Sequence, residues 1–200
     1  MYLRSFLFCL LWLGNHALIC AQNTYLSGIG SRWSDSFVEW ELYCFDEDTA
    51  AAEEAAISDQ YICGSLQLRW LNLKDDWSEW DFQYGDLRGT IKRKWRDDPT
   101  HWELRTFDGT AVTMRTLWGK DLREWRITDN DISLELRPRW GNQYDEWVVD
   151  DRKHGSFKLY TRQRNDPRDW DIEDGLGPAV STPIKLALMF LGVYHGSPKQ

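Results

Sequence analysis

Glu79-Trp80-Asp81-Phe82-Gln83-Tyr84-Gly85-Asp86-Leu87-Arg88-Gly89-Thr90-Ile91-Lys92-Arg93-Lys94-Trp95 holds one complete unit of a repeat. In its first half Trp80, Phe82 and Tyr84 alternate with polar residues. In its second half Leu87, Ile91 and Trp95 share one parity. Period two with one polar face is the mark of a half-buried strand. Gly85-Asp86 supplies the turn between them, so the unit reads as a hairpin. Asp108-Gly109, Asp129-Asn130 and Lys153-His154-Gly155 mark the equivalent turns further on.

The unit recurs along the chain. Trp40, Trp80, Trp102, Trp125, Trp147 and Trp170 each follow an acidic residue or His101, at steps of 40, 22, 23, 22 and 23. A second series, Trp33, Trp70, Trp95, Trp118 and Trp140, has steps of 37, 25, 23 and 22. A fixed period of about 22 residues denotes one supersecondary unit repeated. A leading strand before Trp33, five complete hairpins and a last strand at 169–173 predict twelve strands in a meander. First strands carry acids outward (Glu39, Glu79, Glu103, Glu146), and second strands carry bases (Arg69, Lys92, Arg115, Arg137, Lys158). Facing strands of opposite charge stabilise a solvated outer surface, at about 0.2–1 kcal/mol per pair.

The repeat stops at Gly175. Ser181-Thr182-Pro183 then opens a run to His195-Gly196 in which only Lys185 is charged. A cap residue, proline in the first turn and a glycine terminator predict a helix over 183–195. Apolar all round, it is a buried helix. At roughly 20 Å long it is too short to cross a bilayer, but matches the height of a strand cylinder. A barrel of about twelve strands is too wide for side chains alone to fill. The expected fold is therefore mainly β: a closed antiparallel barrel around a buried C-terminal helix.

The N-terminus, with Arg4, an apolar stretch from Phe6 to Leu13 and Ala21 at its end, reads as a secretory signal peptide over 1–21. Cys20 lacks the small residues that a lipoprotein signal needs before it. The remaining chain, 22–200, suits a single domain and has a net charge of −9, against −8 for the whole. That excess of acid disfavours nucleic acid as a partner. In an oxidising compartment Cys44 and Cys63 are expected to form a disulfide. They flank an insertion, 46–60, with a helical signature over Ala50–Ala56. Cys44 shares the inward parity of Trp40, whereas Cys63 lies out of step with Leu66, so a bulge is expected between them. Pro138 cannot donate to a ladder, and a bulge or local opening is expected there too.

The strand count, the hairpin order and the tail Pro183–His195 resemble the tubby-like C-terminal superfold of tubby proteins, phospholipid scramblases and LURP-one-related proteins. The resemblance implies a closed twelve-stranded barrel threaded by a hydrophobic helix, and a lipid or membrane surface as partner.

Every Trp of both series lies beside a connection between hairpins, so all are expected at one end of the barrel and on its apolar parity. They form either a core layer around the helix end near Tyr194 and His195, or a mouth that meets sugar rings or a membrane interface. Arg93 shares the inward parity of Ile91, either as a cation–π partner of these indoles or as an anion clamp. The candidate ligand-binding residues are thus Arg93, Trp95, Trp102, Trp118, Trp125, Trp140 and Trp147. No histidine pair has metal-ligand spacing, and no nucleophile elbow or phosphate loop is present, so neither metal, cofactor nor catalytic residue is assigned. Three functions follow in order: a non-enzymatic lipid-binding or structural module, a carbohydrate or small-ligand binder at the Trp end, and an enzyme acting from the 46–60 insertion.

Overall fold

A computed structural model describes residues 24–46, 60–73 and 76–199. The signal segment and the helical signature of the insertion lie outside the described residues. Twelve strands follow one another: β1 Thr24–Trp33, β2 Ser36–Asp46, β3 Tyr61–Leu68, β4 Glu79–Tyr84, β5 Leu87–Arg93 and β6 His101–Thr106. They continue as β7 Ala111–Thr116, β8 Trp125–Thr128, β9 Ser133–Pro138, β10 Glu146–Asp151, β11 Gly155–Gln163 and β12 Asp166–Leu176, and among the described residues one helix, α1, follows over Thr182–Gly196. Each strand pairs antiparallel with its sequence neighbours, and β1 pairs with β12 through Gly28↔Asp171, Ile29↔Trp170 and Gly30↔Asp169, which closes the barrel. The expected count, order and closure are all present.

Period-two patterning sets the inside and the outside. In β4 Trp80 and Phe82 are buried, while Glu79, Asp81 and Gln83 face out. Glu79 and Glu103 both stand opposite Lys92, Arg126 opposite Glu135, and Lys158 opposite Glu173. One pair breaks the rule: Arg115 stands opposite Arg126.

The helix fills the axis. Pro183, Ile184 and the residues from Leu186 to Tyr194 are all buried. Phe190 meets Trp80 and Trp102 at centroid distances of 5.9 and 5.1 Å. Lys185, the one charge of its apolar run, reaches Asp174 of β12 at 2.6 Å. The helix ends at Gly196, as expected, and that glycine also serves close approach. A Cβ there would collide with the Trp170 ring, and one on Gly192 would collide with Leu159. One turn apart, the two glycines share a helix face and let the axis lie against β10–β12.

Both local irregularities appear. Leu42 pairs with Gly64 but Tyr43 pairs with Ile62, so Cys63 is the extra residue of a bulge in β3. That bulge brings Cys63 to Cys44, and the disulfide forms with a Cα–Cα distance of 5.8 Å. At Pro138 the ladder between β9 and β10 shrinks to two partner pairs, Trp147↔Pro138 and Val148↔Arg137.

Candidate ligand-binding end of the barrel

The six connections between hairpins, from 34–35 to 164–165, share one end of the barrel. Four of them open alike. Trp70, Trp95, Trp118 and Trp140 each open a turn in which their carbonyl accepts the N–H of the residue three further on, at 2.9–3.1 Å. Asp76, Asp98, Asp121 and Asp166 then each accept the backbone N–H two residues ahead. Hydrogen bonds from the Arg123 guanidinium hold Asp121 down to about 2, well below the usual carboxylate range. The chain next enters the wall, and the following Trp turns inward. Its indole N–H is met by the carbonyl three residues back: Trp40 by Phe37, Trp102 by Pro99, Trp125 by Leu122, Trp147 by Tyr144 and Trp170 by Pro167, at 2.8–3.1 Å. Trp80 does the same with Trp77 at 3.3 Å. The buried polar edge of each indole is thus satisfied locally.

This repeat unit separates the two tryptophan series. The first is core, with Trp102, Trp125, Trp147 and Trp170 at 0% exposure. These indoles form the expected layer around Tyr194 and His195; Trp102 lies 4.8 Å from the Tyr194 ring and Trp125 lies 5.2 Å from His195. Trp102, Trp125 and Trp147 are therefore beyond the reach of a ligand. The second series does not share their parity. Trp33, Trp70, Trp95, Trp118 and Trp140 are 43–64% exposed and form a ring around the rim. The reason is where the strands end. β5 stops at Arg93 and β7 at Thr116, so Trp95 and Trp118 fall past the last ladder pair, where alternation no longer dictates direction.

The exposed indoles are held in place. The N–H of Trp33 donates to Glu39, that of Trp70 to Glu79 and that of Trp118 to Glu124, at 3.1, 3.1 and 2.7 Å. The guanidinium of Arg32 lies over Trp33, and that of Arg139 over Trp140. The partner of this clamp was available to sequence reasoning: a glutamate stands six residues after Trp33, Trp118 and Trp140, immediately before the buried Trp. Beside Trp118 the outer wall forms a groove of about 610 Å³ in which Thr113, Arg115, Glu124, Arg126 and Glu135 surround the indole. Arg126 pairs with Glu135 at 3.1 Å.

Arg93 is committed to the interior. One terminal nitrogen donates to the Tyr194 hydroxyl at 2.7 Å, and its guanidinium lies 5.2 Å from the Trp102 ring centre. This is the cation–π arrangement, at the top of the helix. Burial, with the Lys199 and Arg93 cations nearby, pushes His195 down to about 3, so its imidazole is neutral.

Among the described residues no three His, Cys, Asp or Glu side chains converge as a metal site, and no helix is long and apolar enough to cross a membrane. No protein-family model, curated protein or solved structure matches this chain.

Proposed function

We propose that this chain is a secreted, non-enzymatic binding module whose ring of exposed tryptophans takes carbohydrate. The observation that carries this is the carboxylate clamp on Trp33, Trp70 and Trp118. With its N–H satisfied and its edge fixed, an indole offers a rigid face. The negative face of the ring attracts the polarised C–H groups of a pyranose. Around Trp118 the Glu124 and Glu135 carboxylates and the Arg115 and Arg126 guanidinia stand where sugar hydroxyls need acceptors and donors. Repetition at five rim positions suits a polymeric ligand, since weak contacts in register add avidity. The Cys44–Cys63 bridge favours an oxidising compartment, as the N-terminal signal does.

A lipid surface is the second reading. It draws on the tubby-like resemblance and on aromatic rings gathered at one end, as at membrane interfaces. The same clamps weigh against it, because each would carry a carboxylate toward the headgroup–acyl boundary, where burying even a paired charge costs desolvation.

One experiment separates the two. Residues 22–200 would be titrated with neutral and uronate-containing hexasaccharides, with tryptophan fluorescence as readout, and co-sedimented with anionic and neutral liposomes at low and high salt. A saccharide-dependent spectral shift, weakened at least tenfold in Trp118→Ala without loss of the folded state, is expected. Salt-resistant sedimentation with liposomes and no response to any saccharide would overturn the carbohydrate reading in favour of the membrane.

A further inference from the structure

The exposed ring has one gap. Seven residues before Trp40, Trp102, Trp125 and Trp147 stands a rim tryptophan; seven before Trp170 stands Gln163. The connection there is short, with only Arg164 and Asn165 between β11 and β12, and unlike the equally short β1–β2 turn it has no tryptophan beside it. Where the indole is missing, a cleft of about 510 Å³ opens between the β9–β10 loop and the β11–β12 turn. Its walls are Asn142, Gln143, Tyr144 and Asp145 on one side and Thr161 and Asn165 on the other, and Ser197, just past the helix, lies at its base.

Two properties distinguish this cleft from the charged grooves on the wall. The first is its chemistry. Asn142, Gln143, Thr161 and Asn165 are neutral donors and acceptors whose side chains make no hydrogen bond within the described structure, and Tyr144 adds a ring that is 40% exposed. That ring is backed by Trp147, 5.7 Å away, so its orientation is fixed from behind. The second is unmet demand. The Oδ1 atom of Asp145 and the Oγ of Ser197 are both buried and have no partner. An unsatisfied buried polar atom costs about 1–3 kcal/mol, so two in one cleft call for a complement. The Asp145 carbonyl accepts the Thr161 N–H at 2.9 Å, so a backbone hydrogen bond joins the two walls behind the cleft. Asn165 holds a left-handed backbone, φ 64°, which asparagine tolerates better than most residues.

We infer that this cleft is a binding site for a single hydroxyl-rich ring, a monosaccharide unit or a cyclitol, distinct from the tryptophan faces. A volume of this size suits one small ligand with margin. Ring hydroxyls donate to Asp145 and Ser197 and exchange hydrogen bonds with the three amides, while the Tyr144 face covers a C–H edge. The absence of an unpaired cation among the lining side chains favours a neutral ligand over a phosphate or sulfate ester. The choice of a sugar-like ring rests on the carbohydrate reading above; the site itself rests on the unmet polar atoms.

The test is a side-chain amide titration. ¹⁵N-labelled residues 22–200 would be titrated separately with glucose, galactose, mannose, N-acetylglucosamine and myo-inositol, following the NH₂ signals of Asn142, Gln143 and Asn165. At least one probe is expected to shift all three saturably. Asn142→Ala should weaken that response tenfold or more. So should Asn165→Gly, which preserves the backbone conformation, while Trp118→Ala leaves it unchanged. If no probe moves these signals, or if the response survives unaltered in both asparagine variants, the inference fails. Its failure is separable from that of the tryptophan ring. Hexasaccharide binding lost in Trp118→Ala with a silent cleft would leave the ring reading standing alone, and the reverse pattern would leave the cleft alone.

Discussion

Phenylalanine in place of Trp125 removes one N–H donor and part of a ring, and the repeat unit says what that should do. Trp125 is fully buried and its N–H meets the Leu122 carbonyl at 2.8 Å. Leaving that carbonyl without its partner costs about 1–3 kcal/mol before any cavity is counted. Trp118, seven residues earlier, is 64% exposed, and its N–H meets a surface carboxylate. Trp118→Phe should stay within about 0.5 kcal/mol of the parent, as exposed substitutions do. Urea unfolding of the two variants checks this directly. Equal losses of stability would contradict the division of the tryptophans into core and rim.

Among the elements, α1 carries one ion pair with the barrel wall. Lys185 and Asp174 meet at 2.6 Å with side-chain exposures of 20% and 8%. Lys185→Met should cost about 3–5 kcal/mol, because it strands a nearly buried carboxylate, and adding Asp174→Leu should recover most of that loss. A double variant no more stable than Lys185→Met would show that the pair is not what holds this end of the helix. The elements were largely legible in the sequence. The 22-residue period fixed the hairpins, the uninterrupted apolar run fixed the helix, and the parity mismatch at Cys63 located a bulge. Legibility failed where the local pattern stops. Alternation extended past the ends of β5 and β7 points Trp95 and Trp118 inward, whereas both are exposed. Gly196 ends the helix as its position predicts, but its packing against Trp170 is a long-range fact with no local signal. The polar cleft had no linear signal at all, since Asn142, Asn165 and Ser197 come from two connections and the tail.

For the whole molecule, acid should be the effective denaturant. Burial holds His195 down to about 3, against 6.5 when free. The unfolded chain therefore takes up this proton first, and stability declines as pH falls from about 6.5 to about 3, with a limiting slope of about 1.4 kcal/mol per pH unit. The carboxylates of Asp76, Asp98, Asp121 and Asp166, all lowered by hydrogen bonds in the rim connections, add a second loss below their ordinary value of 3.8. Urea midpoints measured from pH 7 to pH 3 should fall throughout. His195→Gln should flatten the part above about pH 5, where the aspartates contribute little, and make the part below shallower without abolishing it; an unchanged upper slope would remove His195 as its source. The closing seam has a different consequence, one of timing. Each hairpin is local and forms from neighbouring residues, but residues 28–30 must wait for residues 169–171, and the axis stays empty until Thr182–Gly196 has been made. During synthesis the apolar faces of eleven strands emerge before the seam or the helix can cover them. Such a chain has slow, late-closing contacts and a long aggregation-prone interval, which favours a holding chaperone until the last residues are released.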